Sequence, residues 1–304
     1  MNLLITGGNG FLGKNILPIL KNAGIRFWAP DSKTLNLLDY KTTYNIIKSY
    51  RPDGILHLAA KCGGILANKN SPADFLRENT QMGLNVYETA RNCNIKYVYT
   101  LGSVCAYPKF CPTPFKEEDI WNGPAEETNF PYGQAKRTLM MLGQTYRAQY
   151  GIQGAHLIPA NMYGKFDHFN LVNSHVVPAL IKKILHAKHH GSTVSAWGTG
   201  QATREFFYAE DAGDAITEAI IQKLNVDSPI NLGTGYEISI QDLAELISKL
   251  TGYTGEINFT NEVSDGQPKR RLDTSKAKEL LGWEAKTTLE DGLQTTIDWY
   301  QSTL

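Results

Sequence analysis

Three glycines spaced three apart, Gly7, Gly10 and Gly13, stand between a short apolar run and an amphipathic stretch, and they restrict the fold more than any other feature. Residues 2–6 (NLLIT) read as a strand, and residues 11–22 carry apolar side chains at helical spacing. A glycine-rich strand-to-helix turn permits close backbone approach to a pyrophosphate and presents the helix N-terminus to its charge. The spacing predicts the opening β-α unit of a dinucleotide-binding sheet domain, with Gly7, Gly10, Phe11, Leu12 and Gly13 at the phosphates.

The rhythm continues. Residues 25–29, 54–59, 96–101 and 155–159 read as further buried strands, and 40–50, 74–92 and 132–150 as the helices between them. Such alternation predicts an α/β fold: a Rossmann-type, doubly wound parallel sheet that binds ligands beyond the carboxyl ends of its strands. After residue 161 the pattern loosens, with helices expected over 176–188, 211–223 and 239–250 and a strand over 229–232. We therefore expect a dinucleotide-binding domain over 1–160, to which some later segments return, and a smaller, mainly substrate-binding C-terminal lobe over 161–304.

Composition narrows the function. In 304 residues, 30 Lys+Arg balance 30 Asp+Glu, which argues against a nucleic-acid surface. No apolar run approaches the roughly 18 residues of a membrane span, and the N-terminus lacks the basic start of a secretion signal. The four cysteines, Cys62, Cys93, Cys105 and Cys111, form neither CxxC pairs nor a disulfide framework. These features predict a cytoplasmic enzyme. His186 and His190 are one helical turn apart with His189 beside them, but no acidic or thiol partner is evident, so no metal is expected.

Asp31, just past the second strand, could accept hydrogen bonds from a ribose, whereas a 2′-phosphate calls for an arginine that this stretch lacks; by charge alone this end leans towards NAD(H). Tyr132 and Lys136 form a Y-x-x-x-K pair on one helical face, and Ser103 ends the preceding strand. A tyrosine ordinarily titrates near pH 10, so proton transfer near neutrality requires a cation, which Lys136 and an oxidised nicotinamide can supply. Ser103 would hold a substrate carbonyl oxygen as charge develops on it.

Longer strings then carry a resemblance: Lys61-Cys62-Gly63-Gly64-Ile65-Leu66-Ala67-Asn68, Ser71-Pro72-Ala73-Asp74-Phe75, Leu101-Gly102-Ser103-Val104-Cys105-Ala106-Tyr107-Pro108-Lys109, Pro131-Tyr132-Gly133-Gln134-Ala135-Lys136, Pro159-Ala160-Asn161-Met162-Tyr163-Gly164, Asn173-Ser174-His175-Val176-Val177-Pro178-Ala179-Leu180 and Arg204-Glu205-Phe206. The chain resembles the extended short-chain dehydrogenase/reductases and, within them, the GDP-4-keto-6-deoxy-mannose 3,5-epimerase/4-reductase (GDP-L-fucose synthase) family. The resemblance implies a homodimer using NADP(H) and a GDP-sugar. It implies Cys105 and His175 as the epimerisation acid/base pair, with Ser103, Tyr132 and Lys136 serving reduction. It places Asp31, Asn36, Leu37, Ala59 and Lys136 at the cofactor, and Asn161, Lys183, Trp197, Arg204 and Arg270 around the GDP-sugar, although Lys183 stands where the family commonly has Arg. The alternatives are a GDP-sugar epimerase that retains NAD, a 4-reductase of a related keto-hexose or keto-heptose, and a dinucleotide-binding regulatory protein with a decayed site.

Overall fold

The computed structural model describes residues 1–171, 174–260 and 265–304; Asn173, in one of the strings above, lies outside them. The first half runs β1 (Asn2–Thr6), α1 (Phe11–Asn22), β2 (Arg26–Trp28), α2 (Tyr40–Tyr50), β3 (Gly54–His57), α3 (Ile65–Asn70), α4 (Pro72–Asn92), β4 (Tyr97–Leu101), α5 (Phe130–Tyr150) and β5 (His156–Pro159). Leu3, Leu4 and Ile5 are fully buried although they point to alternate faces of β1. That is the signature of a parallel sheet covered on both sides. Local chemistry sets the helix ends: the Asp39 carboxylate caps α2 by accepting from the Thr42 N–H at 2.6 Å, and Gly151, at φ 70°, closes α5.

The second half adds β6 (Asn161–Tyr163), α6 (Val176–His190), β7 (Val194–Trp197), β8 (Thr203–Arg204), β9 (Phe206–Tyr208), α7 (Ala209–Ile221), β10 (Ile230–Leu232), β11 (Ile238–Ser239), α8 (Ile240–Thr251), β12 (Ile257–Thr260), α9 (Ser275–Leu281) and α10 (Leu289–Ser302). The main sheet has six parallel strands in the order β10-β5-β4-β3-β1-β2. Its winding reverses between β1 and β3, where ligands of such sheets bind. β10 joins the sheet from the later sequence, and α7, Leu272, Ala277 and Trp283 share the sheet's core. A separate core of Tyr163, Val177, Ile181, Leu243, Ile247, Leu293 and Ile297 fills the C-terminal part. Three two-stranded ladders, β6 with β9, β7 with β12 and β8 with β11, complete the described residues.

Candidate active site

Backbone contacts that leave no room for side chains build the turn after β1. Gly7 adopts φ +74°, and a Cβ there would lie 2.6 Å from the Ala59 backbone nitrogen beyond β3. A Cβ on Gly13 would lie 2.3 Å from the Gly8 carbonyl oxygen. The Gly10 N–H donates to the Gly7 carbonyl at 3.0 Å, and the Lys14 N–H makes the first bond of α1, to Gly10 at 3.0 Å. The N–H groups of Phe11, Leu12 and Gly13 therefore have no acceptor within the helix and, with the dipole behind them, favour an anion. A cradle closed by backbone and lined by donors fits a dinucleotide pyrophosphate. Around it, the exposed Asp31 accepts from the Thr34 N–H at 2.8 Å, a contact that holds its carboxyl below the usual carboxylate range. Asn36 is exposed, whereas the Leu37 side chain is buried among Leu4, Ile47 and Ile55, and its carbonyl accepts from Asn85 Nδ2 at 2.7 Å. Ala59 donates its N–H to Thr6 Oγ1 at 3.2 Å.

The chemistry-bearing side chains gather where β4 ends and α5 begins. Ser103 follows β4 and accepts the Cys105 N–H at 3.2 Å, opening a short 3₁₀ turn over Val104–Ala106. Gly133 makes the helix approach possible, because a Cβ there would lie 2.4 Å from the Cys105 carbonyl oxygen. Tyr132 thereby faces this turn from the first turn of α5. Burial comes first, then the thiols of Cys62 and Cys105, in pushing its hydroxyl well above the ordinary tyrosine range; Ser103 pulls the other way. Lys136 is buried one helical turn on, with Nζ 5.6 Å from the Tyr132 ring centroid and donating to the Leu101 carbonyl at 2.8 Å. Burial depresses its pKa. His57 and His156 are also buried, each bonded through Nδ1 to a threonine hydroxyl at 2.8 Å. Burial and then the charge of Lys136 bring both down to about 3, so both are neutral.

His175 stands immediately before α6, exposed, with Nδ1 3.6 Å from the Asp167 carboxylate. Crowding by the chain lowers its pKa, but the contact and charge of Asp167 outweigh that, and the net direction is upward. The described contacts tie His175 to Asp167 rather than to Cys105. Arg270 does reach Cys105: Nη1 donates to Sγ at 3.4 Å. Arg204 is also buried, donating to the carbonyls of Thr203 at 2.7 Å and Asp265 at 2.6 Å; burial, then the like charge of Arg270, brings it down to about 9. Asn161 Nδ2 donates to the Glu205 carbonyl at 2.9 Å. Lys183 Nζ donates to the Ser195 carbonyl at 2.8 Å and lies 5.1 Å from the ring centroid of the exposed Trp197. These five residues come from β6, α6, β7, β8 and the segment after β12. At the far end of α6, the rings of His186 and His190 lie 4.3 Å apart.

Four residues of this site were not singled out from sequence. Cys62 Sγ lies 3.3 Å from Tyr132 Oη, on a loop held by Asn79, whose side chain bonds both the N–H and the carbonyl of Lys61 at 2.9 and 3.1 Å. Its position just beyond a parallel strand was the available signal. Asp167, Glu205 and Gln267 act through neighbours distant in sequence, and no spacing rule marks them.

A glycine cradle at the winding reversal, with a serine, a tyrosine and a buried lysine at the next strand end, defines an NAD(P)-dependent oxidoreductase of the Rossmann class. Residues 3–233 match the NAD dependent epimerase/dehydratase family, and the chain belongs to it. It is 39% identical to the GDP-L-colitose synthase of Yersinia pseudotuberculosis over 99% of this chain and 98% of that one. It is 37% identical to the GDP-L-fucose synthase of Sinorhizobium fredii over 98% and 95%. Among solved structures, an NADP-bound GDP-L-fucose synthetase from Naegleria fowleri superposes with a TM-score of 0.89 at 29% identity, covering 99% of this chain and 93% of that one.

Proposed function

We propose that this protein is a nucleotide-sugar 3,5-epimerase/4-reductase that converts GDP-4-keto-6-deoxy-D-mannose to GDP-L-fucose or a close analogue. The observation that carries the reading is the gathering of Ser103, Cys105, Tyr132 and Lys136 around one strand end, with Arg270 on the Cys105 sulfur. Protons at C3 and C5 flank the C4 ketone, so their removal gives an enolate rather than a free carbanion. Ser103 and Tyr132 hold the oxygen that takes up this charge. Cys105, with a guanidinium against its sulfur, serves as the base. His175, whose proton the Asp167 carboxylate helps to retain, returns a proton on the opposite face. Tyr132 then protonates O4, while Lys136 supplies positive charge beneath it. The N–H groups of Phe11, Leu12 and Gly13 would hold the pyrophosphate of a reduced nicotinamide dinucleotide, which when bound would supply the hydride for C4.

NADPH is the assigned cofactor. The family resemblance and the NADP-bound Naegleria relative support it. Asn161, Lys183, Trp197, Arg204 and Arg270 are assigned to the GDP-sugar, and residues 161–304 mainly to its lobe. We also assign a cytoplasmic homodimer. Four free cysteines suit a reducing compartment, no described helix is long and apolar enough to cross a membrane, and α4 and α5 pack together with Leu76, Leu84 and Met141 exposed. A GDP-L-colitose-type product is the second reading, favoured by the identity to the Yersinia enzyme.

The test is turnover of GDP-4-keto-6-deoxy-mannose with each reduced cofactor in heavy water. Deuterium at C3 and C5 with ketone reduction is expected. Reduction with both hydrogens retained would leave a plain 4-reductase, and exchange without cofactor consumption an epimerase that keeps its NAD. A strong NADH preference would remove NADPH, and sedimentation as a monomer would remove the dimer.

A further inference from the structure

We infer that Gln267 is a positioning residue for the Cys105 base: it locks Arg270 so that the guanidinium meets the sulfur. The inference rests on the epimerase/reductase reading above and adds to it the origin of the base. Gln267 lies in the segment between β12 and α9 and is 1% exposed, although its side chain ends in a polar amide. Its Nε2 donates to the carbonyls of Pro108 at 2.7 Å and Lys109 at 3.1 Å, just beyond the turn that carries Cys105. Its Oε1 accepts Arg270 Nε at 2.9 Å. Arg270 Nη1 in turn donates to Cys105 Sγ at 3.4 Å.

The relay is closed and directional. With both Nε2 hydrogens engaged by carbonyls, the amide must present Oε1 to Arg270, which fixes the guanidinium plane through Nε and turns an Nη edge to the sulfur. Arg270 is 6% exposed, and among the described residues no carboxylate is ion-paired with it or with Arg204. Two buried cations, for which the described residues show no carboxylate ion pair, therefore bear on the Cys105 side of the pocket, and a Cys105 thiolate is the anion that the described contacts set against Arg270. The ionisable groups acting here are Arg270, Arg204 and the Tyr132 hydroxyl, with Glu126 and Asp265 acting on Arg204. Removing a C–H proton converts the thiolate to a thiol and leaves the electron pair in the enolate, so the guanidinium loses its partner as charge moves towards Ser103 and Tyr132. Locking Arg270 beforehand spares the site a reorganisation at that moment.

The experiment reads the sulfur directly and needs no substrate. The far-ultraviolet thiolate absorbance of the full chain at neutral pH, taken against Cys105→Ser, is compared for wild type, Arg270→Lys, Arg270→Gln and Gln267→Leu. The iodoacetamide alkylation rate at the Cys105 peptide is read in parallel. We expect Arg270→Gln to lower the thiolate signal and slow alkylation on the order of 10-fold, Gln267→Leu to lose about half that effect on a logarithmic scale, and Arg270→Lys to restore most of it. Thermal midpoints separate this from loss of folding, since Gln267→Gly, which removes the same amide without inserting an apolar side chain, must give the same sulfur readout as Gln267→Leu. An unchanged Cys105 absorbance in Arg270→Gln, or equal signals in wild type and both Gln267 variants, overturns the proposal. In turnover, the Gln267 variants should yield more reduced product that has kept its original hydrogens. Failure of that arm with the sulfur signals as expected would count against the epimerase/reductase reading and not against the relay.

Discussion

Removing the Glu205 carboxylate tests the coupling between scaffold and pocket most sharply. Glu205 is 1% exposed. Oε1 accepts the N–H groups of Thr234 at 2.6 Å and Gly235 at 2.9 Å, and Oε2 accepts that of Leu272 at 2.6 Å. Its own backbone bonds Asn161 and the Arg270 carbonyl, so one side chain ties the strand of Arg204 to the segments on either side of the pocket. Glu205→Ala strands three buried donors at roughly 1–3 kcal/mol each; with water entering part of the vacated space we expect a net loss of about 3–5 kcal/mol. That is a large share of the roughly 5–15 kcal/mol that holds a typical fold. Glu205→Gln keeps one acceptor but turns an NH₂ group towards an N–H donor, while it sheds a charge that burial already disfavours; we expect a loss of about 1–3 kcal/mol. Urea unfolding with unchanged m-values should rank wild type above Gln above Ala, and kcat/KM for the GDP-sugar should fall in the same order. If either variant stayed within about 0.5 kcal/mol of wild type, as an ordinary surface change would, the three bonds could not be what sets this region.

Three further outcomes follow from the geometry. Gly13→Ala should weaken NADPH binding by roughly 10- to 100-fold in a fluorescence titration, because the new Cβ meets backbone rather than a side chain that could yield; unchanged binding would place the cofactor elsewhere. Asp167→Asn should lower the pKa of His175 in an NMR titration. Since the folded protein binds that proton more tightly than the unfolded chain, the stabilisation is complete below about pH 6.5 and fades as pH rises through the folded value, so wild type and variant should differ in urea midpoint at acidic pH and converge at alkaline pH. Lys136→Met should cost on the order of 100-fold or more in kcat without lowering the thermal midpoint; a less stable variant would mean the buried ammonium helps hold the fold together.

Most of the sheet domain was legible because its signals are local. The predicted boundaries of 2–6, 11–22 and 40–50 coincide with β1, α1 and α2, where apolar periodicity, a glycine turn and an aspartate cap all agree. Three helices went unread: the short α3, and α9 and α10 despite usable signals. α10 has Leu289, Leu293 and Ile297 at four-residue spacing behind a Thr288 cap that accepts the Asp291 N–H at 3.1 Å, and α9 ends at Gly282 in the left-handed region. The two-residue strands β8 and β11 were beyond reach, since so short a ladder is decided by its partner and not by its own sequence. The same division runs through the site. Ser103, Tyr132 and Lys136 were readable because one strand end and one helical turn place them, whereas Asp167 and Gln267 reach the site through contacts that no sequence spacing encodes.

The pocket's cations show what the fold gives up for this placement. Lys136, Arg204 and Arg270 are buried, and the acceptors found for them are carbonyls, one amide oxygen and one sulfur. Burial weakens the protonated forms of Lys136 and Arg204, and a buried positive charge without a carboxylate is a liability that packed apolar side chains would not carry. The surrounding design limits the cost without cancelling the charge. His57 and His156 are held neutral by burial beside Lys136, and Glu205 directs its carboxylate to three backbone N–H groups rather than to either arginine. On the mechanism proposed above, with the Glu205 carboxylate held by the backbone, the positive field of Lys136, Arg204 and Arg270 faces anions that come and go: a thiolate, an enolate and the phosphates of the substrate.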